Sequence, residues 1–537
     1  MGTMAAWNDS VRSRQPTSAG QRRGARPVRP GRGSPSAASV VVGVAALFAS
    51  TGAVAQKWTA EVGVSSRVEW TSNAQLGEAG GRGDVILDVR PQVRLTGEGG
   101  QFKVSGTAAL DGVNYLHKTQ PSRIRPEADL TASLQAVPRL VFLDAGLRVF
   151  QTSANPFGAR QETGSSKNSE TTVVGRVSPR IEGMAGEHLR YVVRSDNVWT
   201  NQSGATAPQT GTNSSGYFGQ NAASIEHDPL PFGWRLAAER TDTTYRDGTV
   251  QPLVIELARA TTLYALSTDI TFGLYGGYEH TNFDTPGQRG WIYGIDAKWQ
   301  PSSRTLLTAF GEHRFFGDAW RVAFAHRTPA FAWNIVSSRT LQTAPQSAFD
   351  LPATNNVAAL LDGIFTTRYP DPVERARAVQ NFISSQGLPT STLQPITLQQ
   401  RQLSIVNLNM ATIALIGVRN TVSLSGFQSR TADATGGSVI LSGGSLTNNS
   451  QIGGSIALTH KLTPSYTLTA SSEWSRISAL SASGADRTIQ KSARLLMNVQ
   501  AAPRTSAFAE VRYTRLDSNS AVSGREGAVF AGLDHRF

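Results

Sequence analysis

The chain has 537 residues, 17% of them charged and 39% hydrophobic, and its mean hydropathy of −0.23 excludes a polytopic helical membrane protein, which needs repeated apolar runs of ~20 residues. It has no cysteine, which excludes a disulfide framework and thiolate metal sites. The net charge of +12 is uneven: residues 1–55 carry seven arginines against Asp9, half of the excess, so the pI of 10.1 does not point to a nucleic-acid partner.

The arginine-rich lead is followed by Ala37–Ala55, AASVVVGVAALFASTGAVA, an apolar stretch closing on Ala53-Val54-Ala55. That small-x-small ending predicts a cleaved export signal over 1–55 and a mature chain from Gln56. A single transmembrane anchor is the rival reading, weakened by the many small residues and by the polar chain that follows at once.

From Lys57 onward the pattern has period 2, which puts alternate side chains on opposite faces of a strand. Trp58, Ala60, Val62, Val64, Val68 and Trp70 alternate with Thr59, Glu61, Ser65, Arg67 and Glu69. The same alternation returns at 85–95, 291–299, 466–474 and 507–514. Continued to the end it predicts about 22 strands, within 18–24, most of them longer than the ~5–6 residues of globular strands. Connections alternate as well. One set is short and often carries proline, as in Val137-Pro138-Arg139, Gln300-Pro301-Ser302 and Ala502-Pro503-Arg504. The other is longer and polar, at 71–83, 118–125, 154–168, 201–214 and 432–448. Short inner turns, long outer loops and aromatics such as Trp58 and Trp70 at opposite ends of one apolar face describe a closed antiparallel transmembrane β-barrel in the bacterial outer membrane. Membrane lipid is its expected surroundings. A soluble β-helix needs a short fixed repeat and a sandwich needs shorter strands, and neither pattern is present.

Residues 344–399 break the period. Val357, Leu360, Leu361, Ile364 and Phe365 fall at helical spacing after Asn355 or Asn356 as cap. A second helix is punctuated by Asp371, Pro372 and Glu374 at its start and by Gly387 and Pro389 at its end. Its Val373, Ala376, Val379, Phe382 and Ile383 would face the first helix. This helical hairpin, 350–389, follows the fifteenth strand and by parity belongs to the outer side. It is either a surface excursion or an element that folds over or into the lumen and gates it.

Opposite the apolar face lie Arg90, Arg94, Arg176, Arg180, Arg190, Arg194 and Arg512, interspersed with Glu69, Asp88, Asp196 and Glu510. They form either a water-filled interior with charges paired across strands or an arginine-lined path for an anionic polymer. No metalloprotease, P-loop, nucleophile-elbow or dinucleotide motif occurs, so no catalytic residue, metal or cofactor is predicted. Glu226-His227-Asp228 is read as a solvated turn, because adjacent strand residues point to opposite faces. The last strand ends in Val529, Ala531, Leu533, His535 and Phe537 on one face. Such an aromatic end is similar to the signal read by the barrel-assembly machinery, with His535 departing from its usual apolar residue.

Nearly the whole chain from Gln56 resembles the PEP-CTERM/exosortase system-associated outer-membrane β-barrel proteins. The resemblance rests on Ser153-Ala154-Asn155-Pro156-Phe157-Gly158, on Ser302-Ser303-Arg304-Thr305 leading to Arg314-Phe315-Phe316-Gly317, and on Tyr369-Pro370-Asp371-Pro372 with Gln386-Gly387-Leu388-Pro389. It implies a Gram-negative barrel associated with exopolysaccharide production and surface protein sorting, with exopolysaccharide and envelope export proteins as partners. It carries over no functional residue. The expected function is a non-enzymatic channel for exopolysaccharide export. A structural scaffold, a general diffusion porin and, last, an outer-membrane hydrolase are the alternatives.

Overall fold

The structure, a computed structural model, describes residues 57–160, 168–203, 215–246, 252–283, 288–349, 403–434, 448–480 and 486–537, most of 357–369, and scattered positions from 375 to 396. The expected export signal and the cap residues Asn355, Asn356, Asp371 and Gly387 lie outside the described residues.

The chain runs through β1 (Lys57–Thr71), β2 (Asp84–Glu98), β3 (Phe102–Tyr115), β4 (Arg123–Val137), β5 (Val141–Thr152), β6 (Glu170–Ala185) and β7 (Leu189–Ser203). It continues as β8 (Gly216–His227), β9 (Phe232–Tyr245), β10 (Leu253–Ser267), β11 (Ile270–Thr281), β12 (Gln288–Ser302), β13 (Thr305–Arg314), β14 (Gly317–Arg327) and β15 (Phe331–Thr343). Two helices follow, α1 (Ala344–Phe349) and α2 (Val357–Phe365). The sheet then resumes with β16 (Leu403–Ile416), β17 (Asn420–Asp433), β18 (Asn449–Lys461), β19 (Tyr466–Ala479), β20 (Arg487–Ala502), β21 (Thr505–Ser518) and β22 (Gly524–Arg536).

Each strand pairs antiparallel with its neighbour in sequence, and β22 returns to β1 from Gly63↔Arg536 to Thr71↔Ala528. The sheet therefore has no free edge, the condition for a strand-built span of hydrocarbon. This is the 22-stranded barrel that the two-residue period predicts. At one rim every connection is two to four residues long, and the first and last strands have their free ends there. By the asymmetry of outer-membrane barrels this is the periplasmic rim. The outer rim carries the long loops, with one exception. β13 turns into β14 through Phe315 and Phe316 alone, closed by Gly317 at φ 95°, a left-handed conformation that glycine adopts without a Cβ clash. The wall is low at that point.

The outward face is apolar and aromatic. Trp58 and Phe102 meet at the periplasmic end, with ring centroids 6.1 Å apart, and Phe232 and Tyr264 do the same at 5.0 Å. Toward the outer rim stand Trp70, Trp199 and the pair Tyr278–Trp291. Leu274 and Ile295 oppose each other between the girdles and are exposed to lipid. The apolar surface of this fold thus faces outward, and burial inside depends on what fills the lumen.

Candidate functional site: a filled lumen

The ladder assigns the inward face. Outward Val322, Phe324 and His326 of β14 pair with Ser337, Ile335 and Trp333 of β15, which leaves Arg321, Ala323, Arg327, Val336, Asn334 and Ala332 facing the lumen. Ala332 pairs with Ala414 of β16, near the periplasmic rim. On these two small residues sits an apolar cluster of Leu361, Ile364, Val379 and Ile383, with Phe365 and Phe382 packed beside it. Phe365 and Phe382 meet edge to face at 5.3 Å. Val379, Phe382 and Ile383 of the second expected helix do face α2, as their spacing predicts, while Val373 and Ala376 lie outside the described residues. Arg327 Nη1 donates to Gly363 O at 3.2 Å and to Thr366 Oγ1 at 2.9 Å, tying α2 to the inner wall. Arg375 Nε donates to Asp362 Oδ1 at 2.8 Å, joining the two helical segments.

The hairpin therefore does not stay on the outer side, where strand parity assigns it. Its chain leaves from the outer end of β15, yet its apolar face docks inside the barrel beside the periplasmic rim. The physical reason is that its greasy stripe needs an apolar partner, and Ala332 and Ala414 give it a flat, small-residue bed. We call this element the plug.

Two more segments cross the lumen. α1, which the sequence did not announce as a helix, contacts β7 and β8 on the far wall, and Thr343 Oγ1 lies 3.4 Å from Thr243 Oγ1 of β9. Around this crossing Leu253, Phe283, Leu341 and Leu403 are buried together with Phe315 and Phe316 from the low turn. The other crossing is residues 153–160, between β5 and β6, which we call the strap. Its shape is set locally. Asn155 Oδ1 accepts from Phe157 N at 2.9 Å, and the side chain of Asn168 bonds the backbone of Asn155 in both directions, at 2.6 and 2.7 Å. Phe157 is 1% exposed, buried against Ile477 and Ala479 of β19, and its carbonyl accepts from Thr488 Oγ1 at 2.8 Å. The loop 72–83 folds inward as well, with Ala74 buried on Ile86, Val113 and Tyr115.

The lumen wall has two sectors. On β16–β19 it is rich in hydroxyls, with Glu473 an inward charge among them: Thr412, Thr421, Ser425, Thr459 and Thr469 are buried, with Ser425–Ser455 at 2.7 Å and Thr459–Thr469 at 2.9 Å. From β20 through β1 to β14 it is charged. The seven arginines expected to line the lumen all occupy inward positions, and carboxylates accompany them. Arg90 pairs with Glu127, Arg94 with Glu61 at 3.9 Å, and Arg180 with Glu182 at 3.4 Å. Arg176 and Arg194 share Asp196 at 3.1 and 2.6 Å, and Arg512 is clasped by Glu69 and Glu526 at 3.1 and 3.0 Å. Arg190 stands opposite Glu226 in the register. Sequence reasoning found the face but not these pairings, two of which, Arg90 with Glu127 and Arg512 with Glu69, join strands that are not adjacent. An arginine-only path is therefore absent among the described residues, and the interior is a mosaic of ion pairs.

Exposure along the charged sector is graded. The side chains of Asp111 and Asp88, beneath loop 72–83, are 6% and 8% exposed, whereas those of Glu61 and Asp129, nearer the periplasmic rim, are 47% and 59% exposed. This side of the lumen is a solvated vestibule on the periplasmic side and is covered on the outer side. Of Glu226-His227-Asp228, expected as a solvated turn, the first two end β8 with side chains on opposite faces and only Asp228 lies in the turn. Glu226 pairs inward with Arg235 at 3.4 Å, while His227 stacks on Trp234 with ring centroids 6.3 Å apart. Among the described residues no group of three or more histidine, aspartate or glutamate side chains could hold a metal ion. Phe537 donates its backbone N–H to Val62 O at 2.9 Å, extending the closing seam.

No family model and no curated protein matches the sequence. Several solved outer-membrane proteins are similar in fold. The FrpB iron transporter from Neisseria meningitidis is 8% identical, with a TM-score of 0.46 over 89% of this chain and 82% of that one. The siderophore receptor PirA from Pseudomonas aeruginosa is 9% identical, with a TM-score of 0.40 over 89% and 80%. The outer membrane protein opdK from the same species is 10% identical, with a TM-score of 0.34 over 89% and 99%. At these scores function has to be argued from this chain's own residues.

Proposed function

We propose that this outer-membrane β-barrel is a gated conduit, closed at rest by its own insertion, with exopolysaccharide as the cargo that the family resemblance implies. One observation supports the gate above the others: the plug docks inside the lumen through an apolar face on Ala332 and Ala414, although its chain departs from the outer rim. The vestibule open toward the periplasm favours cargo arriving from the cell side, the direction export requires. The paired interior argues that the cargo need not be anionic. Guanidinium and carboxylate groups side by side suit a hydroxyl-rich chain that can donate and accept hydrogen bonds along its length. A general diffusion porin fits less well, since it needs an open lumen at rest.

A second reading, a non-conducting scaffold, draws on the same burial: a lumen filled this thoroughly could be permanent packing. Conductance in a planar bilayer separates them. The refolded protein is expected to be closed, and deletion of 350–389 is expected to open a large pore. A deletion variant that folds and still passes no current removes the conduit and leaves the scaffold.

A further inference from the structure

Among the described residues, the strap meets the segment that returns from the plug to β16 at Arg160. Arg160, the last described residue of the strap, donates its backbone N–H to Gln490 Oε1 at 2.8 Å, and its guanidinium lies over Phe427 of β17, 5.9 Å from the ring centre. Its Nη1 also donates to Gln394 O at 2.7 Å, on the segment that leads from the plug back to β16. That segment is pinned from the other side. Ile396 N donates to Gln451 Oε1 and Ile396 O accepts from Gln451 Nε2, both at 2.8 Å. Gln394–Ile396 is thus held between the strap and the wall.

From this arrangement we propose that Arg160 couples the two closures, so that strap and plug leave the lumen together rather than as independent gates. The proposal deepens the conduit reading, because it assumes that the lumen opens. The strap is preformed by its Asn155–Asn168 bonds, so it moves as a body. A charged donor on Gln394 O then makes withdrawal of the plug's return segment and release of the strap one event. Separate gates would need no such bond, since each closure already has its own apolar anchor, Phe157 for the strap and Leu361 for the plug.

The absence of cysteine allows a test by single labels. Ala159 lies in the strap and Ala414 beneath the plug, 5% and 2% exposed, and either tolerates cysteine with little change in volume. Labelling of A159C and of A414C by a membrane-impermeant maleimide is measured on the folded, reconstituted protein, alone and combined with Arg160→Ala, Leu361→Ala or both. Coupling predicts slow labelling of both cysteines in the parent. With Leu361→Ala and Arg160 intact, both should rise by about tenfold or more, and adding Arg160→Ala should confine the rise to A414C, because the strap keeps its Phe157 anchor. Arg160→Lys, which keeps a charged donor, should preserve the joint rise. A rise confined to A414C with Leu361→Ala while Arg160 is present overturns the coupling, as does no rise at either site or a joint rise that persists when Arg160→Ala is added. If Arg160→Ala does not fold, Leu361→Ala alone decides the matter. Labelling does not require conduction. If both sites rise together while no variant passes current, the coupling stands and the conduit falls.

Discussion

Leu361→Ala is the sharpest probe of the gate, because it weakens the plug without touching a strand. Leu361 is fully buried at the centre of the cluster on Ala332 and Ala414. Removing a buried leucine to alanine costs ~2–5 kcal/mol. Part of that loss falls within the hairpin, through Ile364, Val379 and Ile383, and part on the hairpin's contact with the wall. Assigning about half to docking gives roughly 1–2.5 kcal/mol, a shift of about 5- to 60-fold in the ratio of closed to open lumen. The barrel itself should be unharmed, since its ladder runs β14–β15–β16 without using a plug residue. The assay is single-channel recording of the refolded variant, with the heat-dependent gel shift of folded barrels as control. Brief openings of the same size as the 350–389 deletion pore should appear, and their frequency should rise over the parent by the stated factor. The reasoning is refuted if A414C becomes freely reactive in the Leu361→Ala background while current stays at the parent level. The plug would then have left and something else would hold the lumen shut.

Three further outcomes follow from the same geometry. The open pore of the deletion variant should show weak ion selectivity, because its inward arginines are paired, and Glu61→Gln with Glu127→Gln should turn it anion-selective; reversal potentials in a salt gradient read both. Arg512→Ala strands Glu69 and Glu526 at the β21–β22–β1 seam as buried, unpaired carboxylates, and breaking a buried pair costs about 3–5 kcal/mol, so the urea midpoint should fall markedly. Ile295→Arg, on the lipid face between the girdles, should destabilise the refolded barrel by about 2–4 kcal/mol in lipid vesicles, while an arginine at inward Ser471 should be far milder.

What could be read from the sequence follows from what a two-residue period encodes. Alternation states which face a residue takes, so the strand number, the lipid face around Trp291 and the inward set from Arg90 to Arg512 were all legible. It says nothing about register, so Arg90 meeting Glu127 on β4, or Arg512 meeting Glu69 across the closing seam, could not be foreseen. Arg512 and Glu69 are 443 residues apart and meet only because the barrel closes. The helical period likewise revealed that Leu361 and Ile364 share a face, without naming what covers it. That answer depends on Ala332 and Ala414, two small residues that pair side by side on the inward face and leave room for it. α1 was missed because Ala344–Phe349 is too short to show a period of 3.6 residues.

The stretches that carry the family resemblance contain no catalytic chemistry, yet three of their described parts fall where chain fills the lumen, whereas 302–305 is a periplasmic turn and 386–389 lie outside the described residues. Ser153–Gly158 is the strap, whose Phe157 crosses the lumen to β19. Arg314–Gly317 is the two-residue turn that lowers the rim and delivers Phe315 and Phe316 to the outer apolar cluster, and Glu279 fixes it by accepting from Phe315 N at 2.6 Å and Arg314 Nη2 at 2.8 Å. The Tyr369 ring lies tilted beside Phe365 with centroids 6.0 Å apart, and its carbonyl accepts from Arg375 Nη1 at 3.0 Å, which ties the plug's two helical segments together. A barrel needs none of these to be a barrel, since closure by β1 and β22 satisfies the backbone in lipid. Nor would a scaffold need three separate devices to fill one lumen, because bulkier inward side chains on the strands would serve. Specific turns, an inserted phenylalanine and a docked hairpin block this lumen with pieces of chain rather than with its wall, which is the arrangement the conduit reading requires.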